Sequence, residues 1–393
     1  MTGPIVVAII TTDLRDDHRR YDEPQPSFGA APTGLLQGLK NMEGCEVHVV
    51  SCVQRPVASP EKIADNMFYH SVEIGKWGWM RGLYAGCIRA AGRKLREIGP
   101  DIVHGQGTER YCALSAVFSG FPNVATIHGK MSEVARHQHG AGAVAFYGAA
   151  RLLEEFTLPR TDGIVCISDY MRGLVSKYRV PAWIVPNALQ EIYFESPGKK
   201  AGGRGKPVLI NAGVISERKR QVELLGMAGR LHARGANFEF QFAGSCAGES
   251  AYAREFLAKV KPAEEAGYAR YLGALPAGEL VKRYDEAGAM VHFPGEEAFG
   301  LVVAEALARN LKFFGARTGG ITGIASGVEG AELIGPDDWE GLEHAIVQWL
   351  DAGAPTPAGA AEEMKARYHP RVIARRHLEI YSEVVRRKKS ANP

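Results

Sequence analysis

The stretch Phe293-Pro-Gly-Glu-Glu-Ala-Phe-Gly-Leu-Val-Val-Ala-Glu-Ala-Leu307 is the most informative part of this chain for its fold. The apolar residues up to Phe293 are typical of a buried strand, and those after Gly300 are typical of a helix. A short loop with Glu296 and Glu297 lies between them. Strand, loop and helix in this order form the repeating unit of an open α/β sheet, whose ligands bind where strand meets helix. The stretch therefore predicts an α/β fold with a binding site at this loop.

The rest of the 393-residue chain alternates in the same way between short apolar runs and longer amphipathic segments. This alternation is typical of doubly wound parallel sheets. Strands are predicted at 5–10, 46–52, 68–72, 102–104, 124–128, 163–168, 183–185, 208–212, 238–243, 269–272, 290–293, 312–315 and 332–334. Helices are predicted at 32–40, 80–98, 144–156, 169–178, 221–234, 251–264, 277–287, 301–309, 339–350 and 370–387.

Two domains are expected because a chain of this length exceeds the usual limit for a single core. We expect a Rossmann-like domain at 1–190 and a second one at 191–369, facing each other across a cleft. The helix at 370–388 is expected to pack back on the first domain. A Gly- and Lys-rich segment at 196–206 has the composition of a linker.

The composition is that of an ordinary soluble globular protein, with 46% hydrophobic and 23% charged residues and a net charge of +3. Nucleic-acid binding is not expected, since the basic residues are spread along the chain. Six cysteines without C-x-x-C spacing indicate buried thiols in a cytoplasmic protein. The basic residues at 386–389 are interpreted as a solvated tail, with weak attraction to the inner membrane face as the alternative.

Several other functions lack their sequence signature. A dehydrogenase needs G-x-G-x-x-G between a strand and a helix, whereas Gly202, Gly203 and Gly205 precede a strand. Neither a P-loop nor the D-x-D of metal-dependent glycosyltransferases occurs. His137 and His139 lack a third metal ligand, so a surface loop is expected there and no metal site.

The chemistry of a nucleotide sugar fits the stretch quoted first. Unpaired amides at the start of its helix, around Gly300, Leu301 and Val302, suit a diphosphate. The carboxylate of Glu297 suits sugar hydroxyls, and that of Glu305 suits the two hydroxyls of a ribose. Alternatively, Glu297 is a charge at the start of the helix and Glu305 is a solvated surface residue. Glu305, however, lies in an apolar helix, where a carboxylate without a partner is costly.

These residues resemble the retaining family 4 glycosyltransferases of the GT-B fold, whose signature E-x7-E is matched by Glu297 and Glu305. Shorter matches follow the family's order along nearly the whole chain. They are Asp101-Ile-Val-His104, Ile127-His-Gly129, Cys166-Ile-Ser168, Val185-Pro-Asn187 and Thr318-Gly-Gly-Ile321.

The resemblance implies roles for individual residues. Glu305 would bind the ribose, Glu297 the transferred sugar, and the amides from Phe299 to Val302 the diphosphate. His128 would reach over the donor sugar. Neither metal nor cofactor is implied, since the nucleotide sugar is itself a substrate. A UDP-sugar is favoured, GDP-mannose comes next, and the acceptor would be a hydroxyl of a glycan or a lipid-linked glycan.

The chain departs from the family pattern at several positions. After the Gly213 turn the family has an arginine and a lysine that grip the leaving diphosphate; Lys219 is in place, but the arginine position is Val214. Arg218 and Arg220 are the two candidates for the missing cation, of which Arg218 is preferred. The family's Gly-Gly loop near the N-terminus is reduced to Gly29, which is expected to shape the donor site.

Two further departures from the family pattern, the competing functions and the oligomeric state stay open at this point. The family's A-x-G-x-P after the second glutamate reads Ala308-Arg-Asn-Leu-Lys312. The charged segment 13–26 is either an acceptor-facing lid or disordered. The competing functions are a sugar-nucleotide epimerase or hydrolase on the same fold, and an inactive relative that serves as a partner subunit. The oligomeric state is not indicated.

Overall fold

The computed structural model describes residues 3–136, 140–195, 205–246 and 250–391. The chain divides into two compact units, one of Met1–Gln190 with Pro370–Pro393 and one of Glu191–His369. The predicted linker at 196–206 lies almost entirely outside the described residues. His137 and His139 also lie outside them.

The N-terminal unit is built on an eight-stranded sheet flanked by helices. Its strands are β1 (Ile5–Ile10), β2 (Cys45–Val53), β3 (Lys62–Ala64), β4 (Met67–Glu73), β5 (Ile102–Gln106), β6 (Asn123–Ile127), β7 (Ile164–Cys166) and β8 (Ala182–Ile184). Their order is β3-β4-β2-β1-β5-β6-β7-β8, with β3 antiparallel to β4 and the remaining pairs parallel. Its helices are α1 (Leu14–His18), α2 (Ala30–Leu39), α3 (Ala85–Ile98), α4 (Tyr111–Val117), α5 (Met131–Arg136), α6 (Ala141–Thr157), α7 (Asp169–Val175) and the C-terminal helix Pro370–Ala391.

The C-terminal unit has a six-stranded parallel sheet. Its strands are β9 (Val208–Ala212), β10 (Glu239–Ala243), β11 (Ala269–Gly273), β12 (Ala289–His292), β13 (Lys312–Ala316) and β14 (Ala331–Ile334), in the order β11-β10-β9-β12-β13-β14. Its helices are α8 (Gln221–Ala233), α9 (Ala251–Glu265), α10 (Ala277–Glu286), α11 (Leu301–Ala308), α12 (Gly319–Ala325), α13 (Trp339–Asp351) and α14 (Ala360–Tyr368). The two parallel sheets confirm the predicted α/β fold class.

The strands of the N-terminal unit are apolar on both faces because helices cover both. Ile5, Val7 and Ile9 of β1 pack in a cluster with residues of α2 and of the C-terminal helix. Ala8 and Ile10 point the other way, into a cluster with α3 and α4. Alternation of side chains along a strand produces this division. It explains why β1 is one continuous apolar run.

Several elements differ from those predicted. The helix predicted from residue 80 begins at Ala85, because Leu83 (φ 49°) and Tyr84 (φ 60°) have left-handed backbone that interrupts a helix. Strand β3 and helices α1, α4, α5, α12 and α14 were not predicted. Helix α4 is buried over six of its seven residues, so it lacks the amphipathic period by which helices are recognised.

The charged segment 13–26 is ordered, so the alternative of a disordered loop is wrong. Asp13 and Arg15 are buried and form an ion pair at 2.6 Å. Asp13 also accepts a hydrogen bond from the Tyr69 hydroxyl at 2.6 Å, and Arg15 donates to the Ser59 hydroxyl at 2.7 Å. Burial alone would raise the pKa of Asp13, but the hydrogen bonds from Arg15 and Tyr69 lower it. The charges that suggested disorder therefore fix this segment to the sheet.

The basic residues at 386–389 are exposed to solvent, as expected, but they do not form a separate tail. They belong to the C-terminal helix, where Lys388 pairs with Asp162 at 2.7 Å. The Arg387 guanidinium lies 5.7 Å from the ring centre of Trp183. The last turns of this helix are therefore attached to the N-terminal unit. No helix among the described residues is long and apolar enough to cross a membrane.

The Asp13–Arg15 pair yields a prediction about stability. The substitution Asp13→Asn leaves the Arg15 charge buried without its counter-ion and should cost about 3–5 kcal/mol of unfolding free energy. Asp17→Asn is the matched control, because Asp17 pairs with Arg110 at 2.8 Å while both side chains are about one-third exposed. The control should cost about 1 kcal/mol or less. Urea denaturation followed by circular dichroism measures both, and equal shifts would contradict the prediction.

Candidate functional site

The start of helix α11 leaves backbone amides available at the end of β12. Gly300 caps this helix with a φ of 100°, a conformation that favours glycine. Its carbonyl accepts the first hydrogen bond within the helix from the amide of Val303, at 2.9 Å. The amides of Leu301 and Val302 precede that bond, as is general for the first turn of a helix. Phe299 is buried and packs edge-on against Tyr368, so the helix start is firmly held.

The carboxylate of Glu297 is buried next to this helix start, with the residue only 7% exposed. The Lys219 ammonium forms an ion pair with its Oε2 atom. His292 Nε2 lies 3.1 Å from the same oxygen. Burial alone would raise the pKa of Glu297, but Lys219 and the hydrogen bond from His292 outweigh it and hold the pKa well below its usual range. Glu297 is therefore ionised at neutral pH.

The two candidate arginines have different partners. Arg218 Nη1 donates to the Glu296 carbonyl at 3.1 Å and lies 3.9 Å from Oε1 of Glu297. Arg220 instead pairs with Asp337 at 2.6 Å. Arg218 is thus the arginine that the structure brings to the carboxylate. Val214, at the family's arginine position, is 52% exposed.

Glycines allow the surrounding loops to come this close. A side chain at Gly319 (φ 48°) would collide with the Glu297 carbonyl, and the Gly320 amide donates to that same carbonyl at 2.8 Å. A side chain at Gly244 would collide with the Gly213 carbonyl. Gly213 itself has a φ of 144°, which is unfavourable for other residues. The loop with Glu297 is therefore fixed by backbone contacts as well as by charge.

Glu305 is also buried, at 5% exposure, but among the described residues no cation pairs with its carboxylate. Its hydrogen-bonding partner is the Tyr193 hydroxyl, and burial raises the pKa of Glu305 to about 7 despite that bond. Tyr193 is held in turn by Arg309, which donates to the carbonyls of Tyr193 (3.3 Å) and Glu195 (2.5 Å). Arg309 also pairs with Asp285 at 2.7 Å.

The departure from A-x-G-x-P is accommodated locally. Asn310 occupies the glycine position with a φ of 55°, a left-handed conformation that asparagine tolerates better than most residues. Its Oδ1 accepts a hydrogen bond from the Ala361 amide at 2.8 Å. The turn after α11 therefore keeps its shape without glycine.

His128 follows β6 in the N-terminal unit and ends a chain of buried polar side chains. Its Nε2 lies 3.0 Å from the Gln106 amide oxygen, and Gln106 Nε2 lies 3.1 Å from His104 Nε2. His104 Nδ1 contacts the Tyr381 hydroxyl of the C-terminal helix at 2.5 Å. Burial lowers the pKa of His128, so the ring is neutral at pH 7. These contacts fix the orientation of the imidazole.

Gly29 caps α2 with an ordinary negative φ. A Cβ atom at this position would approach nothing closer than Pro32 Cδ at 3.7 Å. The backbone therefore does not require glycine here.

The structure thus brings together Lys219, Arg218, Glu297 and the start of α11 in the C-terminal unit. Sequence reasoning missed His292, Tyr193 and Gln106. His292 carried a usable signal, because it is the last residue of a central parallel strand, and ligands bind at the carboxyl edge of such sheets. Tyr193 carried none, since its short 3-10 helix shows no periodic pattern.

Comparison with known families agrees with this architecture. The model of Glycosyltransferase Family 4 matches residues 33–190, and that of Glycosyl transferases group 1 matches residues 194–367. Two parallel-sheet units matched in this way define a glycosyltransferase of the GT-B fold. The chain belongs to the family 4 glycosyltransferases. Among proteins of curated function, none matches its sequence.

Solved structures show the same fold at low sequence identity. Sucrose-phosphate synthase from Thermosynechococcus elongatus is 17% identical over 97% of this chain and 99% of its own, with a TM-score of 0.74. Anabaena HepE in complex with UDP-glucose is 14% identical over 96% and 100%, with a TM-score of 0.71. The α,α-trehalose 6-phosphate synthase from Burkholderia multivorans is 13% identical over 100% and 99%, with a TM-score of 0.67.

The pKa of Glu305 predicts a pH-dependent stability. Its pKa rises from 4.5 to about 7 in the folded state, so that state keeps its proton where the unfolded chain has lost it. The contribution of Glu305 to the free energy of unfolding is fully present below about pH 4.5 and is lost as the pH rises through about 7. Glu305→Gln cannot lose this proton. The difference in melting temperature between the variant and the wild type should therefore shift in favour of the variant from pH 5 to pH 8.

Differential scanning calorimetry at several pH values measures this difference. Glu265→Gln, at an exposed carboxylate on α9, controls for the loss of one charge. A difference between Glu305→Gln and the wild type that stays constant with pH would contradict the assigned pKa.

Proposed function

We propose that this glycosyltransferase transfers a sugar from a nucleoside diphosphate to an acceptor hydroxyl, with retention of anomeric configuration and without a metal ion. The observation that supports this most is the grouping of Lys219, Arg218 and the α11 start around the buried Glu297. The first three provide positive charge for a diphosphate, and Glu297 provides a fixed acceptor for sugar hydroxyls.

The diphosphate is proposed to bind the amides of Leu301 and Val302 and the cations of Lys219 and Arg218. The positive end of the helix dipole favours an anion at this place. Lys219 keeps two N–H donors in addition to the one that Glu297 uses. Arg218 takes the part of the family arginine that Val214 replaces, while Arg220 is committed to Asp337.

The proposed sugar ligand is Glu297 and the proposed ribose ligand is Glu305. An ionised carboxylate accepts strong hydrogen bonds from hydroxyl groups. Glu305 has a neutral Tyr193 hydroxyl as partner, so a ribose diol would replace or extend an existing hydrogen bond. The proposed role of His128 at the donor sugar stays a prediction from the family's His-Gly motif.

In the proposed reaction the acceptor oxygen bonds to the anomeric carbon on the face from which the diphosphate leaves. The carbon–oxygen bond to phosphate breaks, its electron pair stays on the nucleoside diphosphate, and the departing phosphate takes the acceptor proton. Catalysis then comes mainly from stabilising charge on the leaving group and from positioning. We propose a UDP-sugar as donor, with GDP-mannose next, and a glycan or lipid-linked glycan as acceptor.

A binding panel tests the donor, and nucleotide release tests the class of reaction. UDP, GDP and their common sugar derivatives are titrated by calorimetry, and the best sugar nucleotide is incubated with and without glycan acceptors. Acceptor-dependent release of the nucleoside diphosphate is expected. Release without acceptor would indicate a hydrolase, whereas binding without release would favour an epimerase or an inactive relative. No binding of any nucleotide would overturn the proposal.

The contribution of Glu305 is predicted separately. At pH 8, above the pKa of about 7 of Glu305, Glu305→Ala should weaken binding of the bare nucleoside diphosphate by roughly 1.5–3 kcal/mol, the scale of hydrogen bonds to a charged group. Calorimetry measures this difference, with Glu265→Ala as control. An unchanged affinity would contradict the ribose assignment.

The cations yield a further prediction. Lys219→Ala should lower turnover by about 10²-fold, as expected for loss of one electrostatic stabiliser of the leaving group. Arg218→Ala should also lower turnover, whereas Arg220→Ala, whose guanidinium pairs with Asp337, is the matched control. A larger loss of turnover in Arg220→Ala than in Arg218→Ala would show that Arg220, and not Arg218, stabilises the leaving diphosphate.

Metal independence and stereochemistry have their own test. Activity should persist in excess EDTA, because Lys219, Arg218 and the helix start supply the positive charge. Proton NMR of the product should show the anomeric configuration of the donor. Loss of activity on chelation and its return with magnesium would contradict the proposed diphosphate site, and an inverted product would contradict the mechanism.

A further inference from the structure

We propose that His292 is a positioning residue for the donor sugar, because it donates a hydrogen bond that holds Glu297 in one orientation. The inference deepens the proposed function and rests on it. His292 touches neither the leaving group nor the acceptor in this proposal; it acts through Glu297.

The backbone of His292 is fixed before its side chain is considered. His292 is the last residue of β12 and pairs in register with Gly315 of β13. A Cβ atom at Gly315 would lie 3.2 Å from the His292 carbonyl, so the two strands approach closely there. The His292 residue is fully buried, at 0% exposure. The imidazole therefore has little freedom to move away from Glu297.

Both hydrogen-bond donors meet the same oxygen of Glu297. Lys219 Nζ and His292 Nε2 both contact Oε2, the latter at 3.1 Å. Oε1 lies 3.9 Å from Arg218 Nη1, a distance longer than a hydrogen bond. Holding Oε2 from two directions fixes the carboxylate plane and leaves Oε1 for a sugar hydroxyl. Lys219 alone, with a flexible four-carbon stem, would permit rotation of that plane.

A neutral imidazole suits this purpose better than a second cation. Burial and the Lys219 charge lower the pKa of His292 to about 4, against the opposing effect of Glu297. The ring is therefore neutral at pH 7, and its contact with a carboxylate requires the proton on Nε2. Nδ1 is then an acceptor, and it is buried with no hydrogen-bond partner in the part of the chain that the structure describes. Because its ring carries no charge, His292 orients Glu297 without itself attracting the diphosphate, which is left to Lys219 and Arg218.

A double-mutant cycle tests the coupling of His292 to Glu297. His292→Phe keeps a ring but removes the donor, whereas His292→Gln keeps an N–H near the Nε2 position. With the sugar nucleotide selected by the panel, His292→Phe should lower kcat/KM about tenfold, the size of one hydrogen bond to a charged group. His292→Gln should recover most of this loss. In the Glu297→Gln background, His292→Phe should have little further effect.

Two further readouts separate positioning from simple packing. Affinity for the bare nucleoside diphosphate should stay within about twofold in His292→Phe, because Glu297 is proposed to bind the sugar. The KM for the sugar nucleotide should rise in His292→Phe and stay near the wild-type value in His292→Gln, since Glu297 loses a donor only in the former. Equal losses in both variants, or additive effects with Glu297→Gln, would overturn the proposal.

A substrate-free measurement covers the cases in which a variant folds poorly or the proposed function fails. Nitrogen-15 NMR of the wild-type ring should show His292 protonated on Nε2 alone at pH 7, and titration should begin only near pH 4. Protonation on Nδ1, or titration near pH 6.5, would overturn the role of His292 regardless of activity. A correct tautomer together with Glu297→Gln of normal activity would instead overturn the proposed function.

Discussion

A carboxylate that is removed from water must be given hydrogen-bond donors or positive charge, and this requirement decides how the C-terminal unit is arranged around Glu297. Its ligands come from two places in the sequence, Lys219 after β9 and His292 at the end of β12. The Gly320 amide adds a bond to the backbone carbonyl of the same residue. Segments that follow β9, β12 and β13 are thus tied to one residue, two through its side chain and one through its backbone. The start of α11, which follows directly, takes its position from this arrangement.

Glu305 shows the opposite solution only eight positions along the chain. It is as buried as Glu297, but within the described ranges of the chain it receives a hydrogen bond from Tyr193 and is paired with no cation. One carboxylate is therefore kept ionised, while the other has a pKa near neutrality. Two residues of the same type in one motif acquire different electrostatic properties from their surroundings. Such a difference suits the two roles proposed for them, a permanently charged acceptor for sugar hydroxyls and a group that shares hydrogen bonds with a ribose.

The general fold could be predicted from the sequence because parallel sheets covered on both faces leave continuous apolar strands, as in β1 and β12. Helix α4 could not, since burial on all sides removes its period. Of the site, Glu297 and Lys219 were recognisable from motif and spacing. Tyr193 was not recognised, because its importance lies in a contact with Glu305, which is distant in sequence. His292 was overlooked although it lies only five residues before Glu297, at the end of a buried strand. The choice between Arg218 and Arg220 likewise depended on which one Asp337 engages.

The tight contact of Gly213 with Gly244 has a consequence for redesign of the enzyme. Any library of variants that places a side chain at Gly244 will mostly sample unfolded proteins, because the new Cβ atom meets the Gly213 carbonyl. Val214 lies directly beside this contact and is half exposed, so its side chain can be enlarged without displacing backbone. At this edge of the C-terminal sheet, Val214 therefore tolerates substitution, whereas Gly244 does not. Saturation mutagenesis is best applied to Val214.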